Sequence, residues 1–87
     1  MGYRVEYRRA AVKYLQRLAR PQRRRILSAI ETLALDPQSP TLDVKKLTNR
    51  DGYRLRVGDY RVLFDRYDDV FVIIIIAVKP RGDAYKE

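Results

Sequence analysis

The chain has 87 residues, of which 46% are apolar, enough for one domain with a modest core and too few for a multidomain enzyme. It contains no cysteine and no histidine, which excludes disulfides, thiolate nucleophiles and the usual zinc ligands. Nineteen lysines and arginines against eleven acids give a net charge of +8, which predicts a polyanionic partner. We predict a single domain over residues 1–87, without a cofactor or a metal.

The amino terminus and the longest apolar run bear on location. Charged residues begin at Arg4, so the first residues lack the apolar stretch of a signal sequence. Residues 70–78 are apolar throughout, but nine residues are too few to span a bilayer. We therefore expect a cytoplasmic protein with no membrane partner.

The first part of the chain predicts a strand followed by two helices. Tyrosine and valine alternate with charged residues over positions 3–7, a period of two that is typical of a half-buried strand. Apolar residues then recur at helical spacing over residues 8–19. Pro21 begins a second apolar stripe that stops at Asp36-Pro37. These two segments predict a helical hairpin.

A loop and a tight hairpin are predicted next. Residues 36–52 contain two prolines, an asparagine and a glycine with little periodicity, which predicts a long loop with a short turn around residues 44–47. Residues 53–57 alternate in polarity, residues 60–64 carry Tyr60, Val62 and Phe64 at every second position, and the two segments flank Gly58-Asp59. A two-residue turn of this composition favours a β-hairpin.

The run at residues 70–78 predicts the central strand of the sheet. A strand that is apolar at every position needs neighbours on both edges or cover on both faces. The hairpin strands are expected on one side of it and the amino-terminal strand on the other. The sequence therefore predicts an α+β fold with the order β-α-α-β-β-β, in which a small antiparallel sheet packs on the amino-terminal helical hairpin.

The hairpin also predicts a cluster of arginines. A two-residue turn places Arg56 opposite Arg61, with Arg54 on the same face, directed away from the helices. Like charges directly opposite each other destabilise a hairpin by up to about 1 kcal/mol. The pattern indicates a site for a bound anion. The alternative is a solvated face whose long side chains protect the sheet from aggregation.

The same register argument extends to the end of the chain. A tight turn before the central strand places Arg61 opposite Ile76. Lys79, Arg81 and Tyr85 then emerge at the end of the sheet that carries the arginine pair. We expect these side chains to converge there.

A second basic segment lies at the start of the second predicted helix. Four arginines lie within six residues near a helix amino terminus, where cations are unfavourable: Arg20, Arg23, Arg24 and Arg25. The segment is either a phosphate-binding patch or a solubilising face. On the first interpretation, Arg23 and Arg24 join Lys79 in binding the phosphates of a polyanion, for which RNA is one candidate.

Residues 52–64, with the sequence GYRLRVGDYRVLF, precede an apolar strand and then the sequence RGDAY at residues 81–85. This arrangement resembles the toxins of the RelE/ParE superfamily, and the resemblance covers nearly the whole chain. It implies a small antiparallel sheet backed by two helices. It also implies a toxin that a cognate antitoxin holds inactive in a hetero-oligomer.

Within that superfamily the chain resembles the RelE-like branch, whose members cleave messenger RNA on the ribosome. That branch has basic residues on the hairpin strands and an arginine and a tyrosine after the last strand. This chain is similar, with Arg54, Arg56 and Arg61 in the hairpin and then Arg81 and Tyr85. The resemblance implies a metal-independent endoribonuclease in which these five residues are catalytic.

One departure from this branch and two alternative functions leave the function open. Some ribosome-dependent members carry lysine at the positions of Arg54 and Arg56; arginine keeps its proton, so the role of both would be electrostatic. The alternatives are a non-enzymatic gyrase inhibitor of the ParE type and a non-catalytic RNA-binding module. Gyrase inhibitors of this type generally lack a tyrosine at the position of Tyr85.

Overall fold

A computed structural model describes residues 2–80 of the chain. The elements, in chain order, are β1 (Arg4–Tyr7), α1 (Arg9–Arg17), α2 (Arg20–Leu35), β2 (Asp43–Lys46), β3 (Tyr53–Val57), β4 (Tyr60–Tyr67) and β5 (Val72–Pro80). The strands form one sheet in the order β1-β5-β4-β3-β2. The α+β class is confirmed, and so is the position of β5 between β1 and the β3–β4 hairpin, although β4 and not β5 is the middle strand of the five.

The sheet is mixed, whereas the sequence predicted an antiparallel sheet. β1 pairs with β5 in parallel, with Val5 opposite Ile73, whereas every other pair is antiparallel. Parallel neighbours need a crossover connection and not a hairpin. The two helices provide part of this connection, and no tight turn between β1 and β5 dictates their relative direction.

The segment at residues 36–52, predicted as a loop with a turn, contains the edge strand β2. Its four residues pair with β3, and Val44 lies opposite Leu55. Three of the four are charged and exposed, and only Val44 packs against the core. Short charged strands are typical of sheet edges, where they discourage further pairing. Because β2 has four residues and only one of them is apolar, its sequence shows too little alternation to be recognised as a strand.

Both helices cover the same face of the sheet, which we call the helix face. α1 contributes Ala11 and Leu15 to the core, and Pro21 stands in the first turn of α2. The apolar core combines residues of both helices with alternate residues of β3, β4 and β5: Ala11, Leu15, Ile26, Ile30, Leu33, Leu55, Val62, Phe64, Ile73, Ile75 and Val78. Neither helix within residues 2–80 has the length and apolar character needed to cross a membrane.

The turn between β3 and β4 has the predicted form. Arg56 pairs with Arg61, and Val57 pairs with Tyr60. Gly58 has a φ of 56°, in the left-handed region that favours glycine. A Cβ atom at Gly58 would lie 3.0 Å from a terminal guanidinium nitrogen of Arg25, so a side chain of α2 covers this turn. The turn is thereby held against the helix layer.

The register between β4 and β5 differs from the prediction. Arg61 lies opposite Lys79, three residues further along β5 than the expected partner Ile76. Two residues of this shift come from the turn, because four residues, 68–71, connect β4 to β5 where a two-residue turn was predicted. The remaining one-residue shift comes from a β-bulge. Phe64 pairs with Ile75 and the adjacent Leu63 pairs with Ala77, so Ile76 has no partner in β4.

Candidate functional site

Four strands bring charged residues into one line across the sheet. On the face opposite the helices, which we call the arginine face, each member of the following series lies opposite the next: Asp43, Arg56, Arg61 and Lys79. We call Arg56, Arg61 and Lys79 the cationic row. Neighbouring strands are about 4.8 Å apart, so the line from β2 to β5 spans about 14 Å.

The bulge in β5 is what places Lys79 on the arginine face. Ile75 and Val78 are both buried in the core on the helix face, although they are three positions apart. Simple alternation would direct residues 75, 77 and 79 to the same face. The additional residue, Ile76, reverses the alternation, so that Lys79 faces away from the core and lies beside Arg61.

The arginines of this face are not uniformly solvated. Arg61 lies on the face predicted for it, away from the helices, but it is only 5% exposed and is the buried charged residue of the described chain. It lies in β4, which has neighbouring strands on both sides. Arg56 is exposed and Lys79 is half-buried. Alternation therefore predicted the face correctly but not the degree of burial.

Arg54 lies beside the cationic row and is held by an acid of β2. Its Nη2 atom donates a hydrogen bond to Oδ1 of Asp43 at 3.4 Å. The side chain of Arg54 is 12% exposed and that of Asp43 is 48% exposed. Because β2 was expected to be a loop, the sequence interpretation did not find Asp43. A carboxylate in register with predicted arginines becomes apparent only once the fifth strand is known.

The electrostatics of the row favour an anion. Like charges in register raise the free energy of the folded chain, and a guanidinium withdrawn from water interacts more strongly with a ligand charge than an exposed one does. Arginine also presents a planar fork of donors that matches the oxygens of a phosphate. The arrangement can therefore bind and neutralise a phosphodiester.

The basic segment of α2 is separated from this row. Nη1 of Arg23 donates a hydrogen bond to the main-chain oxygen of Leu18 at 3.3 Å, which ties α2 to the end of α1. Arg24 is exposed on α2 and lines a surface groove of about 340 Å³. The helices cover the helix face, so Arg23 and Arg24 do not join the cationic row. The predicted Arg81 and Tyr85 lie outside the described residues.

A separate polar cluster lies where β4 turns into β5. Oδ1 of Asp68 accepts hydrogen bonds from Nε of Arg66 at 2.6 Å and from the hydroxyl of Tyr3 at 2.9 Å. The Arg66 guanidinium, followed by the Tyr3 hydroxyl, lowers the pKa of the Asp68 carboxyl. The same carboxylate raises the pKa of Tyr3. These contacts fasten β1 to the turn and leave the cationic row at the far end of β4.

Comparison with known proteins identifies the family. The model of the ParE toxin of the type II toxin-antitoxin system parDE matches residues 5–85. This chain belongs to the RelE/ParE superfamily of type II toxins. A relative from Methanocaldococcus jannaschii that carries the name toxin RelE1 is 33% identical, over 99% of this chain and 98% of its own length.

Solved structures of this superfamily share the fold. The archaeal RelE-RelB complex from Pyrococcus horikoshii OT3 contains a chain with 40% identity and a TM-score of 0.82, covering 94% of this chain and 98% of that one. The RelB-RelE antitoxin-toxin complex from Methanococcus jannaschii gives 29% identity and a TM-score of 0.72, covering 92% and 94%. The resemblance drawn from residues 52–64 is confirmed.

Proposed function

We propose that this toxin is an endoribonuclease that cleaves messenger RNA on the ribosome. The observation that carries the proposal is the cationic row, in which three cations lie in register at a cost that folding does not require. A phosphodiester bound along the row would offset that cost. The named RelE relatives and the arginine-rich strands favour this activity over simple RNA binding.

The chemistry needs only groups that this chain has. The 2′-oxygen of a ribose attacks the adjacent phosphorus and loses its proton, while the bond from phosphorus to the 5′-oxygen breaks and that oxygen gains a proton. The products are a 2′,3′-cyclic phosphate and a 5′-hydroxyl end. Catalysis then requires alignment, neutralisation of the pentacoordinate phosphorane and proton transfer, without a metal or a protein nucleophile.

Each residue has a distinct proposed role. Arg61 and Arg81 stabilise the phosphorane charge, and Arg56 and Arg54 bind and orient the phosphodiester without surrendering a proton. Lys79 extends the contact along the message. The proposed role of the Tyr85 hydroxyl is proton transfer; a guanidinium group beside a phenol would favour the ionised form of the phenol.

A test of these roles compares Tyr85→Phe with Tyr85→Ala. Removal of the hydroxyl alone should lower the single-turnover cleavage rate on programmed ribosomes by about a hundredfold while ribosome affinity stays near wild type. The matched control is Arg17→Ala, which removes an exposed cation from α1. If Tyr85→Phe cleaves at the wild-type rate and only Tyr85→Ala is impaired, Tyr85 stacks on a base and does not transfer the proton.

We also propose a cognate antitoxin as partner, in a hetero-oligomeric complex. The solved relatives from Pyrococcus horikoshii and Methanococcus jannaschii are complexes of a toxin with an antitoxin. A net charge of +8 favours an acidic, amphipathic partner segment. The affinity should fall as ionic strength rises, and an affinity independent of salt would remove the electrostatic part of this proposal.

Gyrase inhibition is the second candidate, because the matching family model is that of a ParE toxin. The two candidates differ in what is damaged in cells that express the chain. We expect truncated messages and intact chromosomal DNA. Intact messages together with gyrase-trapped DNA breaks would favour the second candidate.

A further inference from the structure

An acidic residue lies at the end of the cationic row. Asp43 is directly opposite Arg56 across the β2–β3 pair, and it also accepts a hydrogen bond from Arg54. One carboxylate therefore stands in register with one proposed phosphate-binding arginine and in contact with the other. Its position on an edge strand leaves it about half exposed.

The difference in exposure between the two partners of this ion pair is informative. The side chain of Arg54 is 12% exposed, whereas that of Asp43 is 48% exposed. An arginine side chain has several rotatable bonds, and fixing its guanidinium beforehand reduces the entropy lost when a phosphate binds. Asp43 holds one terminal nitrogen of Arg54 and leaves the other donors of the fork for a ligand.

We propose that Asp43 is a positioning residue of the cleavage site, which orients the guanidinium of Arg54 toward the scissile phosphodiester. The inference rests on the proposed function. Asp43 does not touch the reacting atoms and acts only through Arg54. Its negative charge also opposes the binding of RNA, so the same residue weakens binding and improves alignment.

This double action gives a kinetic signature. Removal of the carboxylate should strengthen binding of the anionic message, because a repulsive charge disappears. It should also slow the chemical step, because Arg54 loses its fixed orientation. We therefore expect Asp43→Asn to lower kcat about tenfold and to lower KM about threefold.

The experiment measures kcat and KM on programmed ribosomes for Asp43→Asn, Asp43→Ala and Asp43→Glu. The matched control is Glu6→Gln. Glu6 lies in the other edge strand, its side chain is 50% exposed, and its Oε2 atom accepts a hydrogen bond from Nη2 of Arg4 at 2.9 Å. We expect Asp43→Glu to recover most of kcat and Glu6→Gln to match wild type.

Other outcomes overturn the inference. If Asp43→Asn lowers KM and leaves kcat unchanged, Asp43 acts only through charge repulsion. If kcat falls equally in Asp43→Asn and Glu6→Gln, the effect is general to edge-strand carboxylates. Wild-type kinetics in all three Asp43 variants would exclude any role in the reaction.

A second measurement separates this inference from the proposed function. The Nε–Hε signal of Arg54 in a ¹H–¹⁵N spectrum reports whether its guanidinium is held, with or without cleavage. Asp43→Asn should move that signal toward the position of free arginine, and Glu6→Gln should leave it in place. An unchanged signal overturns the positioning role, whereas failure of the wild-type protein to cleave messages overturns only the proposed function.

Discussion

The two faces of the sheet are built on opposite principles. On the helix face, alternate residues of β3, β4 and β5 are apolar and pack against both helices. On the arginine face, one line of positions carries cations that lie opposite one another: Arg56, Arg61 and Lys79. Burial of apolar side chains stabilises the fold, whereas like charges in register oppose it.

The comparison separates what folds the chain from what gives it a function. The helix face would be required of any small sheet covered by helices, and its residues satisfy one another. Within the described residues, the arginine face aligns three cations, Arg56, Arg61 and Lys79, with one acid in register at the end of the line, Asp43. On the proposed function, the phosphate of a bound message supplies the negative charge that this row attracts.

The largest effect is expected from a substitution on the helix face. Phe64 is 1% exposed and stacks on Tyr53 with ring centroids 5.4 Å apart. Phe64→Ala should lower the free energy of unfolding by about 3–5 kcal/mol, because it removes buried area and leaves a cavity. Denaturant titration measures this loss. A loss below about 1 kcal/mol would show that the helix face does not dominate stability.

On the arginine face, the largest effect should be on activity. Arg61→Gln removes the buried charge beside Lys79 while retaining a polar side chain. We expect single-turnover cleavage on programmed ribosomes to fall by about a hundredfold to a thousandfold. Arg17→Gln is the control for loss of one cation elsewhere, and far-UV circular dichroism checks that both variants fold. Equal rates in Arg61→Gln and wild type would refute the catalytic role.

Inorganic phosphate should stabilise the folded protein through the cationic row. At a phosphate concentration ten times the dissociation constant, linkage gives about 1.4 kcal/mol of added stability. Lys79→Ala should reduce this gain because it removes one end of the row, and Arg17→Ala should retain it. Sodium chloride at matched ionic strength controls for screening. A gain that is the same in both variants would place phosphate binding elsewhere.

The smallest effect concerns the cluster at the other end of β4. Its hydrogen bonds lower the pKa of Asp68, so the contribution of Asp68 is present above its unfolded pKa and is lost as the pH falls through the lower folded value. Asp68→Asn should therefore be less stable than wild type at pH 7, with the difference disappearing in acid. Unfolding titrations at both pH values test this. A difference that persists in acid would assign the effect to hydrogen bonding alone.

The sequence predicted those features that depend on local geometry. A two-residue turn at Gly58-Asp59 determines the pairing of β3 with β4, so Arg56 and Arg61 could be placed opposite each other from the sequence. The same reasoning failed between β4 and β5, because neither the longer turn nor the bulge at Ile76 has a distinctive residue pattern. The bulge places Lys79 in the row, a result that alternation alone excludes.

Features that depend on tertiary neighbours could not be predicted. The burial of Arg61 follows from the position of β4 inside the sheet, whereas alternation only assigns the face. Asp43 was missed because four residues with one valine do not have the pattern of a strand. The separation of Arg23 and Arg24 from the row depends on which face the helices cover.

The central claim is that the arginine face is maintained for phosphate chemistry and not for stability. Arg56→Ala tests it most directly, because Arg56 is exposed and lies opposite Arg61. We predict an unfolding free energy equal to wild type or higher by up to about 1 kcal/mol, together with single-turnover cleavage at least about tenfold slower. A less stable variant that cleaves at the wild-type rate would contradict the account.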